Sequence, residues 1–292
     1  MTEQPELDTV CDVRNILGEG PIWEPRTGHL YWTDIEASRY HRLELKTGKH
    51  ETFETGTKVG AIALREGEGL LLATKEGFAF HRPEAGAELT FIGNPEPSDE
   101  TRFNDGAVGP DGRYWAGSYG RDENTLYRLD PDGSIHPKDS GFGVPNGIAW
   151  SLDGKTMYFT DSSAKTIYAY DYDLTTGDID NRCPFVHKPD EEGVPDGMIV
   201  DAEGYLWSAW WGGWKLERYD PEGKLERTIK LPMKQPTSLA FGGQGLDELY
   251  VTSASTGLSE DELAAQPQAG RLVRFYPGVK GGEEHRFKDY IA

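Results

Sequence analysis

Residues 147–160 read Gly-Ile-Ala-Trp-Ser-Leu-Asp-Gly-Lys-Thr-Met-Tyr-Phe-Thr, and this stretch decides the fold. A short apolar run at 147–150 is followed by Leu152-Asp153-Gly154 and then by a second run, 155–160, rich in residues that favour strands. Glycine in the left-handed position is what a tight hairpin needs, and neither run is long enough for an amphipathic helix. The unit recurs. Related runs begin at Gly20, Gly60, Gly106, Gly147, Gly197 and Ser238, about every 40 to 50 residues. The joining turns recur too, as Pro110-Asp111-Gly112 and Ala202-Glu203-Gly204. Asp130-Pro131-Asp132-Gly133 and Asp220-Pro221-Glu222-Gly223 supply a second hairpin signal inside their units. These acidic residues lack the spacing and closing Glu of an EF-hand and read as turns. Four short strands in each of six units predict an all-β, six-bladed β-propeller, one closed domain over residues 1–292. Residues 258–266 predict one short helix capped by Ser259. Residues 9–14 are expected to complete the last blade, with 285–290 as the alternative.

Composition narrows the function. Fifty acidic residues against 30 basic ones give a net charge of −20, which argues against nucleic acid or an anionic membrane as partner. Aromatic residues at 11% and hydrophobic residues at 36% are enough to build a core. Only Cys11 and Cys183 are present, which excludes a disulfide framework and any C-x-x-C zinc pattern. The first residues are polar and acidic, and 18 consecutive apolar residues occur nowhere, so the chain reads as cytoplasmic.

In antiparallel blades the start of the innermost strand and the end of the second strand lie on one face of the disc. Immediately before the repeat-starting residues stand Glu19, Val59, Asp105, Asn146, Asp196 and Thr237, with Asn104 one place earlier. Three carboxylates and two carboxamides are thereby aimed at one axis. Singly, each Asp-Gly or Asn-Gly pair is a turn signal; recurrence at one geometric position favours a site. Converging carboxylates call for a counter-charge, and oxygen ligands suit a hard divalent ion such as Ca²⁺, Mg²⁺ or Mn²⁺. The second strands end in Thr33-Asp34, Ser118-Tyr119, Asp161-Ser162, Trp210-Trp211 and Ser253, on the same face, and Arg102 joins them from the connector before Phe103. The Trp210-Trp211-Gly212-Gly213-Trp214 stretch reads equally as a ligand-facing aromatic surface or as a packed cluster between blades.

Across nearly the whole chain these residues resemble the sugar lactonase family that includes gluconolactonase, bacterial aldonolactonases and regucalcin. The resemblance rests on Gly18-Glu19-Gly20-Pro21-Ile22-Trp23, Arg102-Phe103-Asn104-Asp105-Gly106, Asn146-Gly147-Ile148-Ala149-Trp150-Ser151 and Pro195-Asp196-Gly197-Met198, among other segments. It implies Glu19, Asn146 and Asp196 as metal ligands, Asp196 also as general base, Arg102 and Asn104 as substrate-orienting residues, and Asp122 near the substrate. It implies one divalent ion, with Ca²⁺ first and Zn²⁺, Mn²⁺, Mg²⁺ or Fe²⁺ as the other choices. The implied reaction is metal-dependent hydrolysis of a sugar lactone, the small-molecule partner, to the aldonate. No Gly-x-Ser-x-Gly elbow is present to offer a serine nucleophile. The competing readings are a phosphotriesterase on the same architecture and a non-catalytic propeller that binds calcium or another ligand.

Overall fold

The six repeats fold into six sheets built on antiparallel strands; four of the sheets hold four strands in chain order, and the last two each take in a strand from the amino-terminal segment. The structure is a computed structural model and describes residues 2–289. The innermost strands are Gly18–Glu24, Val59–Leu64, Arg102–Val108, Pro145–Trp150, Val194–Val200 and Pro236–Gly242. Each packs beside the next, and the sixth returns to the first, which closes the ring as a six-bladed β-propeller.

The burial pattern follows from radial packing. Near the axis a strand is covered on both faces, so Val59–Leu64 is a continuous buried run instead of an alternating one. At the rim the fourth strand Ile179–His187 is mostly exposed. The apolar core is accordingly split into interblade layers. One holds Trp115, Leu126 and Phe142 of the third blade against Ile148, Trp150 and Phe159 of the fourth. Another sets Trp23, Trp32 and Leu43 of the first blade against Tyr250 and Leu272 of the sixth. Burying one such side chain contributes roughly 1.5–3 kcal/mol, so each layer binds its two blades independently.

Small residues at the repeat starts let the inner strands converge. A Cβ on Gly147 would lie 2.6 Å from the carbonyl oxygen of Asp196 in the next blade, and one on Gly60 would lie 2.3 Å from that of Phe103. The hairpin glycines have the expected left-handed backbone, with φ of 86° at Gly112 and 69° at Gly154. The turn carboxylates accept backbone N–H groups, as Asp153 does from Lys155 at 3.1 Å and Asp220 from Lys224 at 2.9 Å.

The amino-terminal segment closes the last blade. Asp8–Thr9 pairs antiparallel with Val273–Phe275. The pairing starts one residue before the stretch expected from sequence, and it continues through Val10 and Asn15, whose amides donate to Leu272 and Gly270. Thr2–Glu3 adds an unexpected fifth, parallel strand to the fifth blade. Of the alternative closing stretch, residues 285–289 lie elsewhere and Tyr290 is outside the described residues: Phe287 exchanges backbone hydrogen bonds with Leu64 and Glu66 of the second blade. The helix forms at Glu260–Ala265, with Ser259 and Glu262 making a reciprocal capping box. No helix among the described residues is long and apolar enough to cross a membrane.

Candidate functional site

One local irregularity, repeated six times, builds the site. In every innermost strand the ladder register slips at its start: between Glu19 and Ile22, Val59 and Ala61, Phe103 and Gly106, Pro145 and Ile148, Pro195 and Met198, and Pro236 and Leu239. A bulge of this kind re-aims the side chain beside it. The six positions singled out by the repeat pattern all fall at these slips, and four of them carry Glu19, Asp105, Asn146 and Asp196, all buried.

Their electrostatics show that they face one another. Asp196 has its proton affinity raised well above the usual carboxylate range, first by burial and then by the charges of Glu19 and Asp105; the Gly197 amide and the Asn146 carboxamide pull it back only in part. Burial followed by the charge of Asp105 raises Glu19 in the same way, against the Gly20 amide and Arg102. Asp105 is pushed up to about 6 by burial, against the Gly106 amide that donates to its Oδ1 at 2.7 Å.

Among the described residues two buried oxygens here have no hydrogen-bond partner: Asn146 Oδ1 and Asp196 Oδ1. Buried acceptors without donors are the observation that fits a cation, because an oxygen-ligated ion satisfies both at once. Among the described residues no three His, Cys, Asp or Glu side chains form a metal-holding group. The set of converging carboxylates expected from sequence therefore divides. Asp105 lines the channel cavity, whereas a cation at the orphaned oxygens would draw on two carboxylates, Glu19 and Asp196, and on the carboxamide of Asn146.

Arg102 and Asn104 are joined. An Arg102 NH1 hydrogen is donated to Asn104 Oδ1 at 2.7 Å, Asn104 Nδ2 donates to the Pro145 carbonyl at 2.7 Å, and the guanidinium lies 5.0 Å from the centre of the Tyr119 ring. Burial lowers the pKa of Arg102, with Glu36, Tyr119 and Glu19 acting against it. Asp122 is exposed in the bend after Tyr119 and has no ion pair or hydrogen bond among the described residues.

Most second-strand ends are engaged in holding the scaffold. Asp34 accepts from the amides of Ile16 and Leu17, and Asp161 from those of Gly143 and Val144, so each pins the chain entering its own blade. Ser253 donates to the Arg271 carbonyl at 2.9 Å. Trp210 is wholly buried with Lys215 and Lys188 at 4.7 and 5.3 Å from its ring, so this residue of the stretch is packed, whereas Trp211 and Trp214 are half-buried. Three of these ends touch the convergent group: Tyr119 through Arg102, Ser162 through Asn146, and Thr33, whose hydroxyl donates to the Glu19 carbonyl at 3.4 Å.

Sequence reasoning did not identify Tyr114 or Glu284. Tyr114 reads as core, yet its buried hydroxyl lacks a partner and its pKa is raised well above the usual range by burial and by Asp105. Glu284 lies outside the repeats. It lines a cavity of about 300 Å³ that runs down the channel from Asp105 to residues 282–285, which cover its far end. Burial pushes Glu284 up to about 7. A carboxyl raised in the folded state contributes stability that is present below the ordinary glutamate range and lost as pH rises through about 7. Glu284→Gln is therefore expected to raise Tm by roughly 2–4 °C near pH 8 and to leave it unchanged near pH 4, which thermal unfolding at the two pH values checks.

The sequence profile of the SMP-30/Gluconolactonase/LRE-like region matches residues 17–255. Regucalcin of Xenopus laevis is 38% identical over 94% of this chain and 96% of its own. Pentonolactonase XacC of Haloferax volcanii is 37% identical over 98% of both chains. Among solved structures, a calcium-binding protein, regucalcin, of Agrobacterium tumefaciens superposes with a TM-score of 0.93 at 28% identity, covering 98% of this chain and 99% of its own.

Proposed function

Since the chain belongs to the SMP-30/gluconolactonase/LRE-like family, we propose that it hydrolyses the ring ester of an aldonolactone to the aldonate, with one divalent cation held by Glu19, Asn146 and Asp196. The observation that carries this reading is the pair of orphaned buried oxygens, Asn146 Oδ1 and Asp196 Oδ1, beside a partly buried Arg102. A relative of similar identity is named a pentonolactonase, and another relative is named a calcium-binding protein, which supports the substrate class and places Ca²⁺ first among the ions.

When bound, the cation supplies Lewis-acid polarisation of the lactone carbonyl. The chain's own residues do the rest. Asp196 takes the proton of the attacking water on a carboxylate oxygen and returns it to the leaving ring oxygen. Arg102 binds the carbonyl or ring hydroxyls, fixed against the Tyr119 ring so that little orientation is lost on binding. Asn104 has both ends of its carboxamide engaged, by Arg102 and by the Pro145 carbonyl, and so orients the substrate through Arg102.

Stripping divalent ions with a chelator is expected to abolish acid release from an aldonolactone, and adding back one ion of the Ca²⁺, Zn²⁺, Mn²⁺, Mg²⁺ and Fe²⁺ panel is expected to restore it. Full hydrolysis by protein shown metal-free by elemental analysis would remove the cation from the reaction.

A further inference from the structure

Each residue proposed above as a cation ligand directly follows a residue whose carbonyl is gripped by a side chain of the preceding blade. Thr237 Oγ1 donates to the Gly18 carbonyl at 2.6 Å, ahead of Glu19. Asn104 Nδ2 donates to the Pro145 carbonyl at 2.7 Å, ahead of Asn146. Ser162 Oγ donates to the Pro195 carbonyl at 2.6 Å, ahead of Asp196. The Pro145 and Pro195 carbonyls lie where the ladder of the inner strand slips, and the Gly18 carbonyl lies one residue before the slip that starts at Glu19, so each carbonyl is presented to the neighbouring blade beside the bulge.

Ser162 has a second effect. Its one hydrogen is on the Pro195 carbonyl, so toward Asn146 its oxygen can only accept. It accepts from Asn146 Nδ2 at 3.1 Å, and that choice turns Asn146 Oδ1, the orphaned atom, toward the basin. One buried hydroxyl thus holds the backbone ahead of Asp196 and, together with the Asn146–Asp196 contact, the amide orientation of Asn146.

We propose that Ser162 and Thr237 are positioning residues that hold the three ligands in register for the cation across the blade boundaries; this inference rests on the reading of the site as a cation site. Hydrogen-bond partners behind metal ligands are commonly worth about 10- to 100-fold in metal affinity. Neither hydroxyl is assigned to contact substrate or to move a proton, so the loss should appear in cation binding before it appears in chemistry.

The test is calorimetric titration of the metal-stripped full chain with Ca²⁺ and with Mn²⁺, paired with thermal unfolding in chelator. Ser162→Ala and Thr237→Val are expected to weaken binding by about 10- to 100-fold, and Thr237→Ser, which keeps the hydroxyl, is expected to bind as the parent does. If Ser162→Ala does not fold, the Thr237→Val and Thr237→Ser pair decides. A parent protein that takes up neither ion at millimolar concentration overturns the cation site itself, and this inference with it. A parent that binds while both hydroxyl-free variants bind equally well overturns this inference alone, and so does a loss of Tm in chelator with unchanged affinity, which marks a merely structural role.

Discussion

Asp196→Asn is expected to lower kcat by about 10² to 10⁴ at saturating metal while the protein continues to bind the cation. The substitution keeps an oxygen that can coordinate and removes the proton acceptor, which separates the two roles proposed for this one side chain. Burial and the charges of Glu19 and Asp105 act on Asp196 together, so a neutral carboxamide also relieves repulsion in the basin. A fall in kcat therefore cannot be ascribed to added electrostatic strain. Glu19→Gln is the contrast. Glu19 has no proton-transfer role, so its deficit should lie in metal affinity and be partly recovered at high ion concentration. Steady-state kinetics at several metal concentrations, with affinity measured in parallel, distinguish the two patterns. Parent-like turnover by metal-saturated Asp196→Asn would move the base to another group.

The propeller was legible because its signals are local and repeated. Gly112 and Gly154 sit at positive φ where a hairpin turns, and their period places every inner strand. The positions of Glu19, Asp105, Asn146 and Asp196 were legible for the same reason, since one bulge recurs at one place in each repeat. What escaped depends on contacts between distant segments. Nothing in residues 33–34 or 161–162 shows that Asp34 and Asp161 will be taken up by backbone amides of the incoming chain while the neighbouring Ser162 reaches Asn146. Trp210 looked equally suited to a ligand or to packing until two lysines were placed over its ring. The segment at 282–285 lies outside the repeats, so its position across the channel, with Glu284 facing inward, follows from backbone bonds of its neighbours to the second and third blades, such as Lys288 to the Gly112 carbonyl. That Asp105 lines the channel cavity is likewise a fact of three dimensions, which a one-dimensional pattern does not encode.

An aldonolactone is expected to exceed both an unsubstituted lactone of the same ring and a phosphotriester in kcat/KM, by up to roughly 10⁴-fold. The reasoning starts from Arg102. Burial disfavours its charge, and the compensation it has comes from Glu36, Tyr119 and Glu19, with hydrogen bonds from NH1 to Asn104 and to the Phe103 carbonyl. The remaining guanidinium N–H groups need acceptors once substrate displaces water. Ring hydroxyls and a lactone carbonyl supply them. An unsubstituted ring covers those donors without pairing them, and an unpaired buried donor carries its full desolvation penalty. A phosphotriester has a phosphoryl oxygen to offer but no row of hydroxyls, so it should satisfy the cation and leave Arg102 underused. Arg102→Met, which keeps the unbranched apolar stem but no donor, should then erase most of the preference for the hydroxylated ring while affecting the unsubstituted lactone little. Phosphotriester efficiency equal to or above that for the aldonolactone would overturn the sugar assignment, and a preference that survives Arg102→Met would place hydroxyl recognition on other residues of the mouth.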